Sequence, residues 1–356
     1  MIVQHVSLVD FRSYARLELD LSPGLVLVTG PNGVGKTNLL EALHVGSQGF
    51  SPRTRVDGQL VRFDAPAARV TLSGLEADAP VETQVTLTRG EPKRVSLNGA
   101  ALPSSEALRS RLVALVFVPD RLAVVKGGPL VRRAYFDRML GRLRPALAEL
   151  PSEYGQALAQ RNEALRRVRA GASSLEAVAP WTERVAALGT ELDAARGSLV
   201  ATLELRFAER ADALGLMGAA LAYTPEPLAA AALEARLDRD LARGTTGLGP
   251  HLRDVGISAG PRELRSFGSQ GEQRTAVLAL VLAEADLLRA ERGTQPLLLL
   301  DDVLSELDEG RRRALLAALP GGSQTIVTAT SPGALPPGTG PPAGHVWVSP
   351  GEARAA

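Results

Sequence analysis

Hydrophobic and polar residues alternate along this chain with two different periods. Up to about residue 100 the period is two, as in Val3 to Val9 and Val81 to Thr88, which predicts short β-strands. The pair Asn98-Gly99 is typical of a type I′ hairpin turn. From roughly Lys126 to Ala242 nearly every segment has helical periodicity instead, and strands alternate with helices again beyond it. The pattern therefore predicts a helical segment inserted into a strand-rich domain.

Within the helical segment, apolar residues follow the alternating spacing of four and three that marks a coiled-coil seam. These residues are Trp181, Val185, Leu188, Leu192, Ala195 and Leu199. A partner helix is indicated by Tyr154, Leu158, Leu165 and Val168. The turn between the two helices would be Gly171-Ala172-Ser173-Ser174. We interpret the pair as an antiparallel helical arm, although a helical bundle packed flat as a second lobe also fits the pattern.

The first candidate site follows the apolar run from Leu25 to Val28. It is Gly30-Pro31-Asn32-Gly33-Val34-Gly35-Lys36-Thr37, which fits the G-x-x-x-x-G-K-[ST] phosphate-loop pattern, and a helix begins at Asn38. Glycines let backbone N–H groups converge on phosphate oxygens at a helix N-terminus. Lys36 would reach the β- and γ-phosphates, and the Thr37 hydroxyl would ligate Mg²⁺. Because strand, loop and helix are in register, an accidental glycine turn is disfavoured and ATP binding is predicted.

The second candidate site follows the four leucines at positions 297 to 300. Such a buried strand delivers Asp301 and Asp302 to the carboxyl end of a sheet, where α/β proteins place ligands. We expect Asp301 to hold Mg²⁺ and Asp302 to orient or deprotonate the attacking water. Ser305 and Asp308 follow in a segment similar to the D-loop of ABC-type ATPases, and Asp308 would also cap the next helix.

A third motif, Ser269-Gln270-Gly271-Glu272, begins an apolar helix shortly before the acidic strand. It is similar to the signature of ABC-type ATPases, in which a serine and backbone donors serve the nucleotide of the partner subunit. The same residues also fit a helix capping box, which any helix can use. The position before Asp301 favours the signature. An ATP-dependent homodimer with the nucleotide between its subunits is therefore expected.

These motifs predict an α/β fold, namely an ABC-type P-loop ATPase lobe with a mixed sheet and an inserted helical, coiled-coil-like arm lobe. The ATPase lobe is discontinuous in the sequence. Its predicted parts are residues 1–125 and 244–356, and the helical arm lobe is predicted over residues 126–243.

Composition narrows the function classes further. The chain has 356 residues, no cysteine and a formal net charge of +1. Without cysteine there are no disulfides, thiolate nucleophiles or cysteine-based zinc sites. No apolar run reaches the ~20 residues that cross a bilayer, and the N-terminus lacks a secretory signal, so a cytoplasmic protein without a membrane partner is expected. With a net charge near zero, only local basic patches could attract nucleic acid.

Over essentially its full length the chain resembles the RecF family of SMC-like recombination-mediator ATPases. The matching segments are Phe11-Arg12-Ser13-Tyr14, Gly33 to Ala42, Lys126 to Arg133, Ser266 to Gly271, and Leu300 to Asp308. The resemblance implies ATP-dependent dimerisation, DNA binding and action at gapped DNA. It also implies two protein partners, RecO and RecR, with which RecF proteins load the recombinase RecA.

The chain departs from related patterns at three places. Gly249-Pro250-His251-Leu252-Arg253-Asp254 is similar to the family's G-P-H-R-D-D, but Leu252 stands where Arg is usual. Asp302 replaces the glutamate of transporter ATPases, and Thr328-Ala329-Thr330 stands where a switch histidine is expected. The shorter carboxylate and the missing histidine predict slow hydrolysis, with ATP acting as a timer. Together with the expected DNA binding, this makes the protein a weak, DNA-dependent ATPase by prediction.

Five basic residues are candidates for DNA phosphate contacts, which weaken with salt, although for any one of them alone a solvated charge is the better interpretation. They are Arg53, Arg55, Lys126, Arg132 and Arg133. Arg12 could contact a nucleotide phosphate or be a solvated turn residue. No aromatic cluster is available for base stacking, which favours sequence-independent binding of duplex DNA or a single/double-strand junction. The alternative function is the nucleotide-binding subunit of an ABC transporter, and stimulation of ATP turnover by DNA or by a membrane partner would distinguish the two.

Overall fold

A computed structural model describes residues 1–305 and 307–355, which divide into two compact units. The first unit comprises Met1–Leu122, Glu209–Leu216 and Ser269–Ala356, and the second comprises Ala123–Ala208 and Met217–Gly268. All three nucleotide-binding motifs of the sequence lie in the first unit. Within the described ranges, every helix is too short or too polar to span a lipid bilayer.

The strands are numbered in chain order. They are β1 (Ile2–Phe11), β2 (Tyr14–Asp20), β3 (Leu25–Thr29), β4 (Ala67–Glu76), β5 (Ala79–Thr88), β6 (Arg94–Leu97), β7 (Ala100–Leu102), β8 (Ala114–Phe117), β9 (Ala219–Ala222), β10 (Gly256–Ala259), β11 (Arg262–Glu263), β12 (Leu297–Leu300), β13 (Thr325–Ala329), β14 (Gly344–Ser349) and β15 (Glu352–Ala355).

The helices are numbered in the same way. They are α1 (Lys36–Gln48), α2 (Ser105–Arg109), α3 (Ala123–Lys126), α4 (Pro129–Leu143), α5 (Leu150–Arg169), α6 (Ala179–Ala213), α7 (Ala230–Glu234), α8 (Leu237–Arg243), α9 (Leu264–Phe267), α10 (Gln270–Arg292) and α11 (Glu309–Ala318).

The central sheet of the first unit has the strand order β15-β14-β3-β13-β12-β8. Its strands from β14 to β8 are parallel, and β15 is antiparallel. Every residue of β8, β12 and β13 is buried, as expected for parallel strands covered on both faces. Parallel strands end at the same edge, so the loop after β3 and the carboxylates after β12 meet there. The predicted mixed α/β sheet is confirmed.

A second, antiparallel sheet of the same unit has the order β2-β1-β4-β5-β6-β7. Buried and less buried residues alternate along β4 and β5, and the buried side chains join those of α1 and the central sheet in one hydrophobic core. Asn98 and Gly99 both have positive φ between β6 and β7. The predicted hairpin is therefore confirmed.

The second unit contains the predicted helical pair. Five seam residues of α6 are buried, namely Val185, Leu188, Leu192, Ala195 and Leu199. A Cβ added at Gly189 would lie 2.7 Å from Leu228, and one at Gly197 would lie 2.7 Å from Pro225. The segment around residues 225–228 thus packs directly on α6, so the pair is part of a packed lobe rather than a free arm.

This unit also extends beyond the predicted boundary at residue 243. The reason is that β10 pairs with β9, which places residues 217–268 in the second unit. The chain returns to the first unit only at Ser269.

Candidate nucleotide-binding site

The phosphate loop connects β3 to α1. Gly35, the N-cap residue of α1, has a φ of 120°, which L side chains rarely adopt. A Cβ at Gly30 would lie 2.3 Å from the carbonyl oxygen of Val348. The Lys36 ammonium donates to the carbonyls of Gly30 (2.7 Å) and Pro31 (2.8 Å), and burial lowers its pKa. The loop thus combines a helix N-terminus with a lysine, as an anion-binding site requires.

The carboxylates that follow β12 meet the first turn of α1. Thr37 Oγ1 donates to Asp301, at 2.9 Å from Oδ2 and 3.1 Å from Oδ1. Thr328 on β13 donates to Asp301 Oδ1 at 2.8 Å. Asp301 is 4% exposed, and burial raises the pKa of its carboxyl. The structure therefore brings the two predicted Mg²⁺ ligands, Thr37 and Asp301, into contact.

Asp302 has a left-handed backbone, with a φ of 49°. Its N–H donates to Thr328 Oγ1 at 2.8 Å, while its buried Oδ1 has no hydrogen-bond partner within the described part of the chain. A cleft of about 400 Å³ is lined by Asn32, Gly33, Gly35, Lys36, Thr37, Asn38, Arg53, Asp301 and Asp302. A buried carboxylate oxygen without a partner is costly, and a ligand in this cleft would supply the missing interaction.

The donor set of this cleft fits Mg²⁺. Hydroxyl and carboxylate oxygens are hard ligands, and Mg²⁺ is usually held by one or two carboxylates together with substrate phosphates. Among the described residues, no group of three or more His, Cys, Asp or Glu side chains could hold a metal ion. A metal ion at Thr37 and Asp301 would therefore depend on the phosphates of a bound nucleotide.

A buried carboxylate on α1 organises the arginines beside the cleft. Glu41 has no exposed side-chain surface and accepts hydrogen bonds from Arg12 Nε (2.8 Å) and Nη2 (2.9 Å). Glu41 also accepts a hydrogen bond from Ser51 Oγ at 2.5 Å and another from Arg53 Nη1 at 3.2 Å. The predicted nucleotide residue Arg12 and the predicted DNA residue Arg53 thus share one carboxylate. Sequence reasoning missed Glu41, although an acidic residue within an apolar helix face was an available signal.

A second cleft, of about 680 Å³, shares Asn38 and Arg53 with the first. Its other lining residues are Arg12, Ser13, Val56, Gly58, Gln59, Val61, Phe63 and Arg89. The Phe63 ring is 84% exposed there. Arg89 donates to the carbonyls of Val61, Arg62 and Ala65, which fixes the loop that carries the ring. A flat apolar group next to the phosphate loop is suited to a nucleoside.

The predicted signature forms a complete capping box at the start of α10. Ser269 Oγ accepts from Glu272 N–H (3.2 Å), and Ser269 N–H donates to Glu272 Oε2 (2.8 Å). Among the residues that the structure describes, the Ser269 hydroxyl only accepts a hydrogen bond, so its proton is free for another acceptor. Ser269 and Gln270 are exposed, and none of the four signature residues is among those that line either cleft. Capping of its own helix therefore leaves Ser269 able to donate a hydrogen bond to a nucleotide in a partner subunit.

The predicted D-loop residues make local contacts. Asp308 caps α11 by accepting from Arg311 N–H at 2.8 Å, and Ser305 Oγ donates to the Asp302 carbonyl at 3.0 Å. Glu306, between them, lies outside the described residues.

The five predicted DNA residues have different environments. Arg53, Arg55 and Lys126 are exposed, although Arg53 lines the nucleotide cleft. Arg132 is 2% exposed and forms a paired hydrogen bond with Asp254 at 2.6 and 2.9 Å. Arg133 is half-buried and donates to the Arg253 carbonyl at 2.8 Å. Arg132 therefore has no surface for DNA, and its role in this structure is to hold the second unit together.

The segment from Gly249 to Asp254 is fixed by the same network. Arg253 donates to the carbonyls of Thr224 (3.1 Å) and Glu226 (3.2 Å), and Arg196 donates to the Pro250 carbonyl at 2.9 Å. Arg253 therefore ties two loops of the second unit together, while Leu252 is 58% exposed.

The parallel sheet, phosphate loop, acidic strand and signature helix define an ABC-type ATPase of the SMC-like group. Residues 2–336 match the family model described as "RecF/RecN/SMC N terminal domain". The "DNA replication and repair protein RecF" of Clavibacter sepedonicus is 36% identical and is matched over 92% of this chain and 89% of its own length. The chain belongs to the RecF family, as its motifs predicted.

Solved structures agree with this assignment. The "recombination mediator protein RecF-ATP in RecFOR pathway" is 26% identical, with a TM-score of 0.87 over 100% of this chain and 99% of that one. The corresponding RecF-ATPrS structure is 25% identical, with a TM-score of 0.86 over 99% and 98%. An SMC head domain bound to ScpA has a TM-score of 0.62 over 100% and 97% at 17% identity, and so shares the fold.

Proposed function

We propose that this protein is an ATP-gated DNA-binding protein of recombinational repair. ATP with Mg²⁺ would hold two copies together as a homodimer, the dimer would bind DNA without sequence preference, and slow hydrolysis would release both. The observation that carries the proposal is the contact of Thr37 with Asp301, because it assembles a metal-nucleotide site from distant parts of the chain.

Each residue of the site has a separate task in this proposal. Lys36 would leave the loop carbonyls for the phosphate oxygens, and Thr37 and Asp301 would hold Mg²⁺, which neutralises phosphate charge when bound. Asp302 would orient the attacking water with its unpartnered oxygen. The nucleoside would occupy the neighbouring cleft, with its base against Phe63 and its polar groups near Arg12 and Asn38.

The signature supports the dimer. Because Ser269 is exposed, has a free hydroxyl proton and lies outside both clefts of its own subunit, a second copy is the natural recipient of its hydrogen bond. Gapped DNA, RecO and RecR as partners, and loading of RecA are proposed from family membership. The transporter alternative is not retained, since the family match covers most of the chain.

Sedimentation of wild type, Lys36→Met and Ser269→Arg, with and without ATP-Mg²⁺ and duplex DNA, tests this proposal. Only wild type should form a nucleotide-dependent dimer, and the dimer alone should hold DNA in a salt-sensitive way. A mixture of the two variants is the matched control for action across the interface. A mixed dimer has one site with both native residues, so mixing should partly restore dimerisation. A wild-type protein that stays monomeric with ATP and ignores DNA contradicts the proposal.

A further inference from the structure

One hydroxyl group connects the two acidic residues of the nucleotide site. Thr328 is fully buried on β13, the strand between β3 and β12. Its Oγ1 accepts the N–H of Asp302 at 2.8 Å and donates to Oδ1 of Asp301 at 2.8 Å. The contact with Asp301 uses the only proton of the hydroxyl, and the contact with Asp302 uses one of its two lone pairs.

These two contacts act on groups that need to be held in place. Asp302 has a φ of 49°, a conformation that is unfavourable for most non-glycine residues, and the bond to Thr328 fixes its peptide N–H. Asp301 has a second donor in Thr37, but Thr37 is itself a predicted Mg²⁺ ligand. Of these two donors to Asp301, Thr328 is therefore the one that is not itself a predicted Mg²⁺ ligand.

We propose that Thr328 is a positioning residue for ATP hydrolysis. Its hydroxyl orients Asp301 toward the metal and sets the direction in which Asp302 presents its unpartnered oxygen to the attacking water. Hydrogen-bond partners of metal-binding carboxylates tune metal affinity and activity in this way. The inference rests on the proposed ATPase function and adds a residue at the position where a switch histidine was expected from the sequence.

Three variants test this role. Thr328→Val keeps the shape of the side chain but removes the hydroxyl, and Thr328→Ser restores the hydroxyl. Thr325→Val is the matched control, since Thr325 is also buried on β13. For each variant we would measure ATP affinity without Mg²⁺, the Mg²⁺ concentration that half-saturates the ATP complex, the turnover number and the melting temperature.

Thr328→Val should bind ATP without Mg²⁺ as wild type does, but its Mg²⁺ requirement should rise and its turnover fall by about 10- to 100-fold. Thr328→Ser and Thr325→Val should stay close to wild type in both. Wild-type turnover and Mg²⁺ dependence in Thr328→Val would overturn the inference. A loss of Mg²⁺-free ATP binding together with a lower melting temperature, in Thr328→Val alone, would also overturn it, because the hydroxyl would then support the fold.

The same measurements separate this inference from the function on which it rests. If the wild-type protein neither binds nor hydrolyses ATP, the proposed function fails. If wild type is active and Thr328→Val matches it, only the role of Thr328 fails.

Discussion

Glu41 is a carboxylate without exposed surface whose partners are two arginines and a serine. A buried charge of this kind is tolerated because every oxygen is hydrogen-bonded by a donor. Its effect is to hold Arg53, which lines both clefts, and Arg12, which lines the larger one. Both arginines can thus meet a nucleotide in a fixed geometry, and the cost of ordering them is met during folding.

Glu41→Gln should therefore destabilise the first unit and weaken ATP binding together. The amide keeps the shape but loses the charge, so Arg12 and Arg53 lose their shared partner. We expect the free energy of unfolding to fall by about 1–3 kcal/mol, because the arginines remain partly solvated. Denaturant unfolding checks this, with the exposed Glu18→Gln as control. A Glu41→Gln protein of wild-type stability and ATP affinity would contradict the proposed role.

Phe63→Ala should weaken ATP binding without affecting the phosphate site. Removal of an aromatic platform from under a base costs about 1–3 kcal/mol, so the dissociation constant for ATP should rise about 5- to 150-fold. Inorganic triphosphate should bind as before, which calorimetry can show. Trp347→Ala, which removes another exposed ring of the first unit, is the control. Equal affinities of Phe63→Ala and wild type for ATP would place the base elsewhere.

For single residues, the sequence predicts a functional role where that role follows from a local motif. The site formed by Lys36, Thr37 and Asp301 is predictable in this way. The first two lie in the phosphate loop after one strand and the third follows another strand, and parallel strands bring their carboxyl ends together. Glu41 and Arg132 do not follow in the same way. Their roles depend on which distant partner meets them inside the fold, and a buried arginine such as Arg132 cannot be told from a surface arginine without that partner.

The start of α10 shows how one element can serve two purposes. The capping box stabilises the helix within the chain, while the exposed hydroxyl of Ser269 keeps its proton for a donor contact. Substitutions that preserve one property and remove the other can separate the two roles.

Ser269→Asp should retain the stability of the helix but abolish the ATP-dependent dimer. Aspartate caps helices about as well as serine, yet it has no proton to donate and would repel a γ-phosphate. Ser269→Ala should instead lower the free energy of unfolding by about 1 kcal/mol. Melting curves and sedimentation with ATP-Mg²⁺ distinguish these outcomes, and Ser269→Thr, which keeps both functions, is the control. If Ser269→Asp dimerises with ATP-Mg²⁺, the Ser269 hydroxyl does not have the proposed role in the dimer.

The loop from Gly249 to Asp254 contains a histidine whose protonation is unfavourable in the folded protein. His251 Nδ1 is 2.7 Å from Tyr154 Oη, and its Nε2 is 3.2 Å from the Thr246 carbonyl. The second contact requires Nε2–H, so the tyrosine donates to Nδ1. Burial, aided by the nearby Arg133 and Arg196, lowers the pKa of His251 from its ordinary value of 6.5.

The second unit should therefore lose stability as the pH falls. Below pH 6.5 the unfolded chain takes up a proton at His251 that the folded chain resists, so the stabilisation is present above 6.5 and is lost on acidification. His251→Gln should flatten the melting temperature between about pH 5 and 7. His5 is the opposite control, since hydrogen bonds to Asp20 raise its pKa and its contribution is lost as the pH rises. An unchanged acid profile in His251→Gln would assign the loss to other groups.

In the whole molecule, one compact unit is assembled from three separate stretches of sequence. The discontinuity was predictable because the phosphate loop and the acidic strand are motifs of one site. The course of residues 209–268 was not predictable. The helical periodicity of α6 continues past Ala208, where the chain passes from the second unit to the first, and β10 is too short for its sequence to indicate which strand it pairs with. The predicted limits of the helical lobe, residues 126–243, therefore differ from the second unit of the structure, which extends to Gly268, and limited proteolysis can compare the two.

DNA binding belongs to this scale, because it sums the interactions of many surface charges with phosphates. Arg55→Ala and Lys126→Ala should each reduce the dependence of DNA affinity on salt, with the logarithmic slope falling by about 0.9 for each phosphate that is no longer neutralised. Arg132→Gln should leave the slope unchanged and lower the melting temperature, since it breaks the buried pair with Asp254. Filter binding at several salt concentrations measures the slope, with the exposed Arg167→Ala as control. A reduced slope in Arg132→Gln alone would reverse this assignment.

The pairing of β3 with β13 and β14 has a consequence for the newly made chain. The strand that carries the phosphate loop is synthesised before both of its neighbours in the sheet, which follow it by roughly 300 residues. At ~5–20 residues per second, roughly 15–60 s separate the two events. During that time β3 has no sheet to join and Gly30 lacks the packing of Val348. Nascent chains should therefore be unable to retain ATP until translation has passed β14, so a chain whose synthesis stops earlier should not bind the nucleotide.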